Sequence, residues 1–213
     1  MNYPDYNTYT KLYMRYLRKG PEKFFTRCDP KGKRVLDSCA GGGQLSKYAL
    51  DQGAEFVCQV DICRKMLDPN FSGDERTMRL DADVWDYLMY FNGTPYDIVV
   101  CRQAVTYWMK RVSGDAIALV IKPKGMFVFN TFGNKPSETP TIIEYYHEGI
   151  AYKEIRYAVG DLIHHVQTAS GMEPHMTTFH WIDREEYIKK LEPYFDLTEE
   201  INGPSSMWYC RRI

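Results

Sequence analysis

Apolar runs of strand length alternate with runs of helical period along the first two thirds of the chain. Residues 34–37 read as a short buried strand, residues 44–50 carry apolar side chains at helical spacing, and residues 55–62 form a second apolar strand ending in Asp61 and Ile62. The alternation continues with a short helix at 63–67, a strand at 77–80, a helix at 84–91 and a strand at 96–103. A helix at 114–121 then leads through the turn Lys122-Pro123-Lys124-Gly125 to a fifth strand at 126–132. Strands apolar on both faces and joined by helices predict a parallel sheet covered on both sides. Ahead of it, Tyr3, Tyr6, Tyr9, Tyr13 and Tyr16 recur at three- and four-residue spacing, an aromatic stripe on a helix running to Leu17, with Phe24 and Phe25 following Gly20-Pro21.

After Phe132 the period changes from helical to two. Residues 152–159, 162–169 and 176–181 alternate, separated by turn signals at Gly160-Asp161 and at 171–174, and predict antiparallel strands inserted above the sheet within 141–182. Asp183 is placed to cap a helix through Leu191, and 195–201 and 207–212 supply a final pair of strands. A chain of 213 residues with 44% hydrophobic and 26% charged residues buries one sizeable core, so a single domain spanning 1–213 is expected.

Three consecutive glycines after the first strand point to a ligand. Strand, glycine turn and helix suit a site where the backbone takes positive φ or lies against a bound molecule. No Gly-Lys-Ser/Thr follows, which excludes the loop that cradles a triphosphate. Ser46 stands where the dinucleotide fingerprint has its third glycine, which weakens a nicotinamide reading. Asp37, just before the turn, adds a carboxylate to the backbone N–H groups, a combination that suits a ligand carrying an ammonium beside a carboxylate. S-adenosylmethionine is such a ligand.

The stretch Val35-Leu36-Asp37-Ser38-Cys39-Ala40-Gly41-Gly42-Gly43 resembles the first motif of the class I S-adenosylmethionine-dependent methyltransferases. Cys39 stands in place of the family's first glycine, implying a tamer backbone angle there or an altered pocket wall. The resemblance implies a Rossmann-like three-layer αβα sandwich. Its seven-stranded sheet is mostly parallel with the last strand antiparallel, and an antiparallel β insertion follows the fifth strand. It also implies that Gly41 and Gly43 lie against the methionine part of the cofactor and that Asp61, with Ile62 beside it, meets the ribose. Asp61 follows Asp37 at about the ~20-residue interval of ribose-binding acids, although capping of the next helix would by itself favour Asp there. Asp81 and Ala82 match the family's adenine-binding pair; Asp83 is the alternative, and any of these acids also suits a helix N-terminus. Cys101, Arg102 and Gln103 end the fourth strand, where parallel sheets gather ligands. Residues 1–33 are expected to act as a helical lid, with Tyr6 and Tyr13 reaching the cofactor.

The remaining chemistry falls on the acceptor. A formal charge of −1 offers no basic field for long nucleic acid, which is disfavoured as substrate. The adenine-amino methyltransferases, which the first motif loosely resembles, carry an Asn/Asp-Pro-Pro-Tyr motif that this chain lacks. A small-molecule acceptor is expected, taken up by Tyr107, Tyr152, His165 and Trp181, with His165 or Tyr13 as candidate catalytic groups. A nucleic-acid acceptor and a non-catalytic module that binds a protein partner are the competing readings. His164 and His165 point to opposite faces of a strand and do not share a metal, so no metal site is expected. Six cysteines without a C-x-x-C pair read as free thiols, and no run approaches a membrane span, so a cytoplasmic protein is expected. The expected layout is a lid at 1–33, a cofactor-binding core at 34–132, the acceptor-binding insertion at 141–182, and a closing helix and strand pair at 183–213.

Overall fold

In the strands of the first sheet, alternate side chains divide between two faces. Val35, Val57, Ile98, Val100, Met126 and Val128 pack on one side, and Leu36, Cys58, Val60, Val99, Cys101, Phe127 and Phe129 on the other. The computed structural model, which describes residues 7–8, 10–12, 20–66, 68, 74–202 and 205–213, joins these strands into a seven-stranded sheet. They are β1 (Arg34–Ser38), β2 (Phe56–Asp61), β3 (Thr77–Asp81), β4 (Tyr96–Cys101), β5 (Ile121–Phe132), β10 (Phe195–Asn202) and β11 (Ser205–Arg212), in the order β10-β11-β5-β4-β1-β2-β3. The pairings β1 with β2, β1 with β4, β2 with β3 and β4 with β5 are parallel, whereas β11 runs antiparallel to both its neighbours.

Helix α1 (Gln44–Asp51) and the 3-10 turn Pro21–Phe25 cover the first face through Leu45, Ala49, Leu50, Phe24 and Phe25. The opposite face is covered by α2 (Val84–Met89), α3 (Val105–Trp108), α4 (Gly114–Leu119) and α5 (Arg184–Leu191), with Leu88, Trp108, Ile117, Tyr187 and Leu191 in the core. Three layers result, as expected. At the amino ends of the strands, Asp97 accepts from the Arg34 N–H and the Lys122 ammonium, both at 2.9 Å, tying β1, β4 and β5 together.

The second sheet has four antiparallel strands in sequence order: β6 (Thr141–His147), β7 (Ile150–Val159), β8 (Leu162–Ala169) and β9 (His175–His180). It is bound to the main sheet through aromatic contacts. Phe132, at the end of β5, stacks on Phe179 at 5.6 Å, and Tyr107 meets the same ring edge-on at 5.6 Å.

Several boundaries differ from the sequence expectation. The Lys122-Pro123-Lys124-Gly125 turn lies inside β5, which starts at Ile121; the register jumps from Tyr96↔Ile121 to Ile98↔Met126, so these residues bulge out of the ladder. Lys124 takes φ 64° there, and proline's missing N–H falls where the ladder lapses. The helix expected at 63–67 is a single 3-10 turn, Arg64–Met66. Asp183 occupies the N-cap position of α5 without a side-chain capping bond, because its carboxylate accepts the Trp181 indole N–H instead. Of the N-terminal helix, residues 7–8 and 10–12 are helical and Leu12 is buried against Tyr152 and Ala169 of the second sheet. Tyr6 and Tyr13 lie outside the described residues.

Candidate functional site

The glycine loop connects β1 to α1 across the carboxyl ends of β1, β2 and β4. Three of its residues take left-handed backbone angles: Cys39 at φ 61°, Gly41 at 53° and Gly43 at 80°. Cys39 therefore does not soften the turn, as its replacement of glycine had implied. It adopts the glycine conformation at a cost, and its thiol is held by the Cys101 thiol, which with burial and the neighbouring carboxylates raises the Cys39 pKa well above the ordinary thiol range.

The loop is stitched to the end of β2. Cys39 and Ala40 donate N–H bonds to the Val60 carbonyl at 2.8 and 3.1 Å, Gly41 donates to Asp61 Oδ2 at 2.8 Å, and Gly43 donates to the Ala40 carbonyl at 2.8 Å. These N–H groups face the protein, so the loop is not an open nest for a diphosphate. Asp61 Oδ1 accepts the Cys63 N–H at 2.8 Å, so the carboxylate fixes both the loop and the chain leaving β2, ahead of the turn Arg64–Met66 that stands in place of the helix it was expected to cap. Each oxygen accepts more than one hydrogen bond, which leaves capacity toward solvent. Ile62 stands beside it, 53% exposed, an apolar side chain in the open at the strand end.

Asp37 is buried at the end of β1. Its Oδ2 accepts from the Ser46 N–H at 3.0 Å and the Ser46 hydroxyl at 2.6 Å. Burial outweighs these bonds and pushes its pKa up to about 6; the Asp61 charge acts in the same direction and the Arg102 guanidinium in the other. Burial also raises the Asp61 pKa. Two buried carboxylates held at the carboxyl ends of adjacent strands against their own desolvation form an acceptor set that fits a ligand bringing positive charge. S-adenosylmethionine brings an ammonium and a sulfonium, and its ribose hydroxyls are donors of the kind Asp61 accepts.

Other expected cofactor residues divide by position. Cys101 is buried below Cys39, and Gln103, with φ 55°, is held by its N–H bond to Asn130 Oδ1 at 2.8 Å. Asp81 is at the adjacent end of β3, ion-paired with Arg64 at 3.3 Å and Arg79 at 3.5 Å. The Ala82 N–H, expected at the adenine ring, donates to the Asp61 carbonyl at 3.1 Å. Asp83 caps α2 by accepting the Trp85 N–H at 2.9 Å. Among the described residues no group of three His, Cys, Asp or Glu side chains is placed to hold a metal.

The expected acceptor residues lie on the inner face of the second sheet or next to it. His165 faces inward and is 8% exposed, while His164 faces outward and stacks on Tyr157 at 4.8 Å, as strand alternation required. Tyr152 is buried and stacks on Tyr145 at 4.9 Å. Tyr107 is 40% exposed beside Phe179. Trp181 packs with Ala158, Ile163 and Phe179, and with its N–H taken by Asp183 it serves as wall rather than as a polar contact.

A polar band that the sequence pattern had not indicated lies between these aromatic clusters. Glu154, with 1% exposure, accepts from Arg156 at 2.8 Å and from the Tyr145 hydroxyl at 3.1 Å, and His165 Nε2 lies 3.6 Å from its Oε2. Glu154 and Arg156 share the strand face of Tyr152 and Ala158, a two-residue spacing that would have found them.

The family model for a methyltransferase domain matches residues 7–189. A ubiquinone biosynthesis O-methyltransferase of Neisseria meningitidis serogroup C is 30% identical over 121 residues, which cover 51% of this chain and 48% of that enzyme. The match thus spans about half of that curated relative's length. Among solved structures, the sugar N-methyltransferase KedS8 of Streptoalloteichus superposes with a TM-score of 0.68 at 14% identity over 100% of this chain and 96% of its own. An S-adenosylmethionine-dependent methyltransferase of Clostridium acetobutylicum gives 0.67 at 14% identity, covering 97% of this chain and 98% of its own. The amino pentose methyltransferase CalS10 of Micromonospora echinaspora gives 0.63 at 15% identity, covering 91% and 88%.

Proposed function

The chain belongs to the methyltransferase-domain family, with S-adenosylmethionine as its cofactor, and from that premise we propose that it methylates a nitrogen or oxygen of a small polar acceptor held between the glycine loop and the second sheet. The observation that carries this reading is the polar band buried on the sheet face next to the carboxyl end of β5, with Arg156 5.3 Å over the ring of Phe132. A surface meant only for packing would be apolar there. Two structural neighbours named for sugar or amino pentose methylation support a small acceptor.

When bound, S-adenosylmethionine would supply an electrophilic methyl group for transfer to the acceptor, with S-adenosylhomocysteine as the co-product. The chain's own work is placement. Asp37 and Asp61 hold the cationic and hydroxyl ends, Ile62 flanks the base, and the second sheet excludes water above the strand ends. Holding two reactants at attack distance supplies about 7–11 kcal/mol in favourable systems. Where the acceptor atom starts protonated, His165, backed by Glu154, is the group in this reading that takes the proton. Incubation with labelled S-adenosylmethionine and pools of small molecules, tRNA, DNA and peptides tests the proposal: label should pass to the small-molecule pool, and transfer only to nucleic acid or peptide would refute it.

A further inference from the structure

The cross-strand register of the second sheet builds two polar rungs between apolar ones. Glu154 pairs with Gln167 and Gln167 with His175; Arg156 pairs with His165 and His165 with Thr177. On one side lies the rung Ala158, Ile163 and Phe179, and on the other Tyr152 and Ala169. All belong to the face that meets the main sheet.

The polar groups in these rungs are not equally satisfied. The Glu154 carboxylate is met by Arg156 and by Tyr145. Gln167, with 2% exposure, has neither its amide nitrogen nor its amide oxygen in a hydrogen bond, and His165 Nε2 has none either. Buried polar atoms without partners are rare in native proteins, and leucine at position 167 would fill similar space without that cost. An amide retained there against its desolvation is accounted for by a ligand that supplies the missing bonds. We infer that Gln167 and His165 form a recognition site for a neutral part of the acceptor that presents hydrogen-bond donors and acceptors side by side, such as vicinal hydroxyls or a carboxamide.

The class follows from the chemistry of the band. An amide side chain offers two donors and one acceptor in a plane, which matches adjacent hydroxyls or another amide edge. Within the described residues the Glu154 charge is already matched by Arg156, so a charged acceptor group at Gln167 would enter a buried region that holds no counter-charge for it. The band is joined to the reaction centre by Arg156 lying over Phe132, two residues after the Asn130 that fixes Gln103. The inference rests on the methyltransferase reading above.

Ligand-observed NMR on the full chain saturated with S-adenosylhomocysteine tests it with methyl β-D-glucoside, benzamide, glucosamine and glucuronate as probes. The glucoside or benzamide should bind the wild type and bind Gln167→Leu and Gln167→Met at least tenfold more weakly. Both variants should keep S-adenosylhomocysteine affinity within twofold and melt at or above the wild-type temperature, since each removes two unpartnered buried atoms. Binding of charged probes only, of no probe at all, or equal binding by the variants would overturn the inference. So would a large drop in melting temperature in both variants, which marks the amide as structural. Loss of S-adenosylhomocysteine binding by the wild type would instead strike the methyltransferase reading, so the two failures are distinguishable.

Discussion

Asp61→Asn separates the two tasks assigned to Asp61, because it keeps the size of the side chain and removes one acceptor and the charge. In the wild type Oδ2 takes the Gly41 N–H and Oδ1 the Cys63 N–H, each at 2.8 Å. Asparagine answers one of these and turns its own N–H against the other. A hydrogen bond to a charged group contributes about 1.5–3 kcal/mol. Relief of the buried charge, visible in the raised pKa, offsets part of the loss. A net destabilisation of about 1–2 kcal/mol is expected, roughly 2–8 °C in melting temperature for a chain of this size. In the proposed site the cofactor would also lose the charged acceptor of its ribose hydroxyls, which should weaken S-adenosylhomocysteine by another 1.5–3 kcal/mol, about 10- to 100-fold. Calorimetric titration and thermal melts on the same preparation read both effects. Wild-type affinity in a destabilised Asp61→Asn would show that the carboxylate only stitches the loop, and an unchanged melting temperature would refute the stitch itself.

Asp37 carries a folded-state pKa raised from 3.8 to about 6, so the stability its protonated form confers is complete below about pH 4 and lost as pH rises through 6. Two pKa units correspond to about 3 kcal/mol as an upper figure, and urea denaturation should show Asp37→Asn lacking that part of the wild-type decline between pH 4 and 6. Cys39 occupies a left-handed position at φ 61°, so Cys39→Gly should be neutral or stabilising by up to ~1 kcal/mol, while Cys39→Val should destabilise by about 1–2 kcal/mol in the same assay. A Cβ at Gly114 would lie 2.2 Å from the Lys190 carbonyl oxygen and 2.9 Å from the Tyr194 ring; Gly114→Ala should therefore cost about 1–3 kcal/mol while leaving S-adenosylhomocysteine affinity unchanged.

The parallel core was legible because its strands are apolar on both faces, and the glycine loop and the acid ending β2 punctuate it. What escaped had specific causes. Pro123 and Gly125 are turn residues by composition, yet the bulge lets β5 run through them, and a bulge is a property of the pairing rather than of one segment. Cys39 looked like a relaxed substitute for glycine because residue type does not reveal φ; only the bonds that hold the loop to Val60 and Asp61 force the left-handed turn. Asp183 looked like a helix cap until Trp181 proved to take its carboxylate. Glu154, Arg156 and Gln167 were passed over because polar residues in an alternating strand are read as facing solvent. Here the sheet turns a partly polar face inward, while Ile142, Tyr146 and Met176 stand exposed. Such an inversion is a tertiary fact, and it marks the region where a ligand is proposed.

In the proposed site the loop at 39–43, with Asp37 and Asp61, holds S-adenosylmethionine. Isothermal titration of the wild-type chain with S-adenosylhomocysteine, with NAD and ATP as controls, tests it directly. Saturable binding of one S-adenosylhomocysteine per chain is expected, with heats for NAD and ATP no larger than dilution. No binding of S-adenosylhomocysteine by the folded chain, or equal binding of NAD, would contradict it.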